Sequence, residues 1–140
     1  MRLRKIWLLC NLVCIIPGAF AQQFIHPGVL HSEKSLERIK RLVDQKAQPA
    51  YGSYEILAKL PEARADYQMK GPFEIISRDG KYGYTKGPSE RDFNSAYYNA
   101  LLWKITGKKA HADKSMEIIR AYARTVRQIP PTNDAPLCAG

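Results

Sequence analysis

At 140 residues the chain is long enough for one small domain. Its 22 Lys and Arg outnumber 13 Asp and Glu, a formal charge of +9, which suits a polyanionic partner, although an ordinary basic surface accounts for it equally well. Three cysteines, two of them within the first 14 residues, exclude a disulfide-stapled fold if that stretch is removed, and no nucleic-acid-binding motif accompanies the positive charge.

The first 21 residues read as an export leader. Arg2, Arg4 and Lys5 make a basic start, and Ile6 to Ile16 is an apolar run too short to span a bilayer as a helix. Pro17-Gly18 breaks the run, and Ala19-Phe20-Ala21 offers the small-x-small pattern that a signal peptidase accepts. Lipid attachment at Cys14 is the weaker reading, because bulky Val13 precedes it. Cleavage after Ala21 would remove three basic residues and no acidic ones, leaving residues 22–140 at +6 with Cys138 as the one cysteine. The expected product is periplasmic or secreted, has no stable membrane association after cleavage, and is held by its core alone. Export also argues against a nucleic-acid partner.

Residues 22–31 form an extended lead-in, since Pro27 pushes His26 away from helix. Ser32 is a fair N-cap, and Leu36, Ile39 and Val43 then describe an amphipathic helix to about Lys46. Pro49 opens a second helix through Tyr54, Leu57 and Ala58 to Leu60, weakened at Gly52 by roughly 1 kcal/mol relative to alanine.

From Pro61 to Glu90 periodicity vanishes. Glycines and prolines punctuate this segment, among Tyr67, Lys70, Phe73, Arg78, Lys81, Tyr82, Tyr84 and Lys86. A thirty-residue loop in a helical domain suggests a binding loop or lid. Rings stack on sugar faces and Lys or Arg pairs with acid groups, so this composition fits a polymer of acidic sugars. Phe73, Ile75 and Ile76 argue against full disorder.

Arg91 to Gln128 reads as two helices joined at Gly107 and therefore antiparallel. Phe93, Ala96, Tyr97, Ala100 and Leu101, with Trp103 beside them, mark the expected buried stripe of the first. Ala112, Met116, Ile119, Ala123 and Val126 mark that of the second, and Arg120, Arg124 and Arg127 share a solvated face. A turn over residues 129–135 follows, and residues 136–140 look like the start of a further helix. His26 and His31 are expected to hydrogen-bond near the beginning of the mature chain, and His111 to lie exposed at a helix start. None has a sequence partner that suggests a metal site or nucleophilic triad.

Three segments carry a resemblance: Phe24-Ile25-His26-Pro27-Gly28-Val29-Leu30-His31, then Ala65-Asp66-Tyr67-Gln68-Met69-Lys70-Gly71-Pro72-Phe73, then Asn94-x-Ala96-Tyr97-x-Asn99-Ala100-Leu101-x-Trp103-x-Ile105-Thr106-Gly107. In this order they resemble exported alginate-lyase-like polysaccharide lyases across nearly all of residues 22–140. The resemblance implies an all-α fold, an incomplete (α/α) toroid built from antiparallel helical hairpins with a long lid-like loop. It also implies that this chain is the amino-terminal part of a longer toroid. The implied reaction is β-elimination on a uronate polymer such as alginate. A base takes the C5 proton, donors neutralise the adjacent carboxylate and an acid assists the leaving 4-oxygen. No cofactor or metal is implied.

By position in that family, Asn133 is the candidate carboxylate neutraliser, but Asp134 stands where a histidine is expected, and an anion there would repel the substrate. Asn133 is also an ordinary turn residue in Thr-Asn-Asp. Lys81 and Tyr82 match the family's lid pair, with Arg78 and Lys70 as weaker substrate-binding candidates. The remaining acid and base are expected beyond Gly140, leaving residues 22–140 inactive alone. The competing reading is a non-catalytic helical glycan-binding or repeat module. Residues 32–60 do not repeat in 91–127, which speaks against a tetratricopeptide-like array.

Overall fold

The computed structural model describes residues 30–130, and Ser32 caps its first helix. The leader, His26, residues 131–140 and with them Asn133, Asp134 and Cys138 lie outside the described residues. The Ser32 hydroxyl accepts the Ser35 N–H at 3.2 Å, and the Ser35 hydroxyl returns a bond to the Ser32 carbonyl at 2.8 Å. Capped in this way, α1 (Glu33–Asp44) buries Leu36 and Val43 and half-buries Ile39, as their spacing requires. Lys46 turns the chain in a left-handed conformation, φ 54°. There follows α2 (Ala50–Lys59), in whose first turn the Gly52 N–H donates to the Gln48 side-chain oxygen at 3.2 Å. None of its residues is fully buried, and it lies as an outer layer on α1.

The body of the fold is the antiparallel pair α3 (Lys86–Thr106) and α4 (Lys109–Thr125). Gly107 ends α3 at φ 72°, its N–H bonded to the Trp103 carbonyl at 2.7 Å, so only two residues separate the helices. Helix α3 starts five residues earlier than the periodicity of its apolar residues suggests. Gly87 and Pro88 fall within its first turn, where a missing N–H removes no intrahelical bond, so they do not end a loop here. Ser89 reinforces that turn through bonds to the carbonyls of Thr85 and Lys86 at 2.8 and 3.0 Å.

The buried faces also differ from the expected stripes. Helix α3 turns Ser89, Asp92, Ser95, Ala96, Asn99, Leu102 and Ile105 inward, and α4 turns Ser115, Ile118 and Tyr122. Of the expected apolar stripe, Phe93, Tyr97 and Trp103 are each about 40% exposed, and Met116 and Ile119 are 42% and 51% exposed. An apolar moment finds a buried face only when that face packs against apolar groups. Here α3 packs Ala96 against Ile118 and Tyr122 of α4, but it also meets the backbone of the preceding loop, whose polar groups must be met by hydrogen bonds. The three arginines on the other face, Arg120, Arg124 and Arg127, are exposed as expected.

Residues 61–85 wrap the hairpin, with 3-10 turns at Pro61–Ala63 and Gly80–Thr85. Tyr67 and Ile76 join Ala96, Ile118 and Tyr122 in the core, with Met69, Phe73 and Val126 packed against them. Ile118 is wholly buried, which contributes roughly 2–3 kcal/mol relative to exposure. Past α4 the chain runs beside the loop. Arg127 N–H donates to the Glu74 carbonyl at 2.8 Å, and Ile76 N–H to the Gln128 carbonyl at 3.2 Å. This parallel contact between Ile75 and Gln128 is an isolated bridge, so the described residues are all-α, without a strand. None of their helices is long and apolar enough to cross a membrane.

Candidate functional site

Two side chains of α3 reach up into the wrapping segment and fix its shape. Asp92, fully buried, accepts the Tyr67 hydroxyl at 2.9 Å, the Tyr122 hydroxyl at 2.7 Å, and the N–H groups of Lys70 and Gly71, each at 2.8 Å. Four donors surround the carboxylate, so hydrogen bonds rather than a cation balance its charge among the described residues. Two turns later, Asn99 is also fully buried. Its amide nitrogen donates to the carbonyls of Ser95, Glu62 and Arg64 at 2.9, 3.2 and 3.4 Å. Its amide oxygen receives a bond from His111 Nδ1 at 2.7 Å. An amide oxygen only accepts, so the hydrogen-bond network assigns the proton to Nδ1 and leaves Nε2 with its lone pair.

These two anchors hold the stretch from Glu62 to Gly71 at both ends. Between them opens a cleft of about 550 Å³. Tyr67, Gln68, Lys70, Arg64 and Arg91 line it, with Glu62 and Asp66 on the same rim. Arg64 is already spent: it grips Asp66 through two bonds of 2.8 and 2.7 Å, which raise the guanidinium above its ordinary value and lower the carboxyl below its own. Lys70 and Arg91 are the other cations, Lys70 standing 5.9 Å above the Tyr67 ring. Close approach is needed behind the cleft wall, since a Cβ at Gly71 would collide with the Tyr122 hydroxyl and the Phe73 ring.

The phenols of Tyr67 and Tyr122 are pushed well above the ordinary range, by burial first and then by their bonds to Asp92. A phenolate beside a buried carboxylate would lose its hydrogen bond and gain repulsion, so neither phenol serves as a base at neutral pH. His111 is pushed the other way, below its ordinary value, by burial and then by Lys108. It is half-buried and tied to Asn99, not exposed as the sequence reading has it. His31 does bond at the start of the described chain, to the Tyr97 hydroxyl at 2.8 Å.

A second cleft, of about 360 Å³, lies beyond cis Pro72, lined by Phe73, Glu74, Tyr82 and Tyr84 with Pro72 and Ile75. The structure therefore separates the candidate substrate-binding residues. Lys70 lines the first cleft and Tyr82 the second. Lys81 sits with its ammonium 5.3 Å from the Tyr82 ring and lines neither cleft, as is also true of half-buried Arg78. Arg91 and Gln68 were not legible as site residues, because nothing in their spacing joins residue 91 to residues 64–70. Asp92 and Asn99 left a fainter signal. Ser89, Asp92, Ser95 and Asn99 recur at steps of three and four, a polar stripe on a helix whose other faces already suffice for water. Among the described residues no group of three or more His, Cys, Asp or Glu could hold a metal ion.

No protein-family model, curated protein or solved structure matches the chain. The likeness to alginate-lyase-like enzymes thus stands on the three segments alone. Two of them include the Tyr67–Gly71 clasp and part of the inward face of α3.

Proposed function

We propose that the first cleft grips a uronate unit of an acidic polysaccharide, and that the protein is an exported polysaccharide lyase acting by β-elimination from an incomplete (α/α) toroid. The observation that carries this reading is the cleft wall: Lys70, Gln68 and Tyr67 on a backbone fixed by Asp92 and Asn99, facing Arg91. Lys70 and Arg91 suit a sugar carboxylate, Gln68 suits hydroxyls, and the rigid wall lowers the ordering cost of binding. The base is not among these groups, since the one tyrosine lining the cleft donates its proton to Asp92. In this reading Asn133, outside the described residues, neutralises the substrate carboxylate, and the base and acid are supplied by other parts of the full-length enzyme.

The locked Tyr67 favours one alternative, a glycan-binding module without turnover. Both readings are tested by incubating the full-length protein with alginate and glucuronan, following the ultraviolet absorbance of the new double bond, and measuring binding of uronate oligomers by calorimetry. Lys70→Ala and Arg91→Ala should each weaken binding about five- to tenfold at low salt, with less effect at high salt. Lys81→Ala should change it little. Unsaturated product establishes the lyase; binding without product establishes the module. Absence of both, or binding indifferent to Lys70 and Arg91, refutes the site. Export is checked by amino-terminal sequencing, which should begin at Gln22.

A further inference from the structure

The second cleft has a chemistry unlike the first. Three aromatic rings face a space of about 360 Å³, and the one charged residue lining it is Glu74. Phe73 and Tyr84 meet nearly at right angles, 84° with centroids 6.4 Å apart, so they present an edge and a face to the same opening. Tyr84 is 68% exposed although it is a large ring, and Glu74 is exposed with no hydrogen bond or ion pair to its carboxylate among the described residues. Below the opening the frame is fixed. Thr85, fully buried, donates its hydroxyl to the Tyr82 carbonyl at 2.7 Å and accepts the Ser77 N–H at 3.1 Å, while Glu74 and Ile76 are tied to the chain after α4.

From this arrangement we infer that the second cleft is a saccharide subsite for an uncharged pyranose ring. The C–H face of a pyranose packs on Tyr84 or Tyr82, and vicinal hydroxyls donate to the Glu74 carboxylate, a charge-assisted pair of bonds. The same carboxylate repels a uronate. Lys81, adjacent to Tyr82 in sequence, holds its ammonium 5.3 Å from the Tyr82 ring centroid and does not line the cleft. The site therefore selects against the acidic units that the first cleft is suited to. This inference does not rest on the uronate reading, because no residue is shared between the two clefts.

The test uses the isotopically labelled protein, titrated separately with cellotetraose, mannotetraose and a tetrauronate, with amide shifts and Kd recorded. A neutral tetrasaccharide should shift residues 73–75 and 82–84, and Tyr84→Ala should weaken it by about fivefold or more, because an exposed stacking ring is lost without touching the core. Glu74→Gln should narrow the preference for the neutral sugar over the tetrauronate at these residues, a change that a purely structural role would not produce. Lys70→Ala should leave neutral binding unchanged, which separates this site from the first. The inference is overturned if neither neutral tetrasaccharide moves these residues at millimolar concentration, if the tetrauronate binds there more tightly, or if Tyr84→Ala has no effect.

Discussion

Asp92 is a buried anion that has exchanged water for four protein donors, and its replacement shows what such an exchange is worth. Asn has nearly the same shape, but its amide nitrogen is a donor pointed at other donors. Asp92→Asn should lose about 3 kcal/mol, because hydrogen bonds to a charged group are lost and buried donors are left unmet. Urea unfolding measures this, and a loss below about 0.5 kcal/mol would mean that the clasp is not formed in solution. His111 makes a second residue-scale prediction through pH. Its folded pKa lies below the ordinary 6.5, so below that pH the unfolded chain binds more protons than the folded one. Its contribution is therefore full above pH 6.5 and is lost as pH falls from 6.5 through the depressed folded value, below which it stays constant. The Nδ1 bond to Asn99 survives protonation, so the loss arises from a charge in a partly dry place beside Lys108. Melting curves from about pH 8 to about pH 5 should show this slope in the native protein and a shallower one in His111→Gln. Equal slopes would assign the acid sensitivity to other groups.

At the scale of elements, the wrapping segment is tied to the hairpin and to the chain after it at 70–71 and 76, whereas residues 77–85 are held chiefly by bonds among themselves. Hydrogen exchange should protect the amides of Lys70, Gly71 and Ile76 nearly as well as the hairpin, while residues 79–84 exchange faster. Fast exchange across all of 61–85 would instead describe a lid swinging on both ends. Helices α1 and α2, and the break at Gly107, were legible because each depends on local chemistry: a serine cap, an apolar spacing, a left-handed glycine. The inward face of α3 was not, because Asp92 and Asn99 on it serve backbone groups 21 to 37 residues away and break up the apolar pattern of Ala96, Leu102 and Ile105. The start of α3 was misplaced for a related reason, since Gly-Pro signals a turn when read alone and a helix N-terminus when Thr85 and Ser89 hold it. Of the site, the sequence shows a loop rich in rings and cations. Only the fold reveals that those groups divide between two clefts.

At the scale of the whole molecule, the hairpin buries polar residues beside Ala96, Leu102, Ile105 and Ile118 and leaves other apolar ones outside. Met116 and Ile119 lie on one exposed side of α4, and Phe93 and Tyr97 are exposed on α3. Such a surface associates at modest concentration. Ile119→Lys should reduce dye binding and light scattering while changing stability by less than about 0.5 kcal/mol, as is usual for surface positions. A loss above about 1 kcal/mol would show that this face is covered in solution.

The clasp at Asp92 also has a temporal consequence. It joins Tyr67 and Tyr122, residues 55 positions apart in the chain, whereas α3 and α4 meet across two residues. Local contacts form before distant ones, so the hairpin can assemble while the wrap is still free, and the clasp closes late. An interaction made after the rate-limiting barrier slows escape from the native state without hastening arrival. In stopped-flow experiments the energy lost in Asp92→Asn should thus appear mainly as faster unfolding, with refolding little altered. On that view the buried carboxylate acts as a latch on lifetime: it sets how long both clefts persist once they have formed.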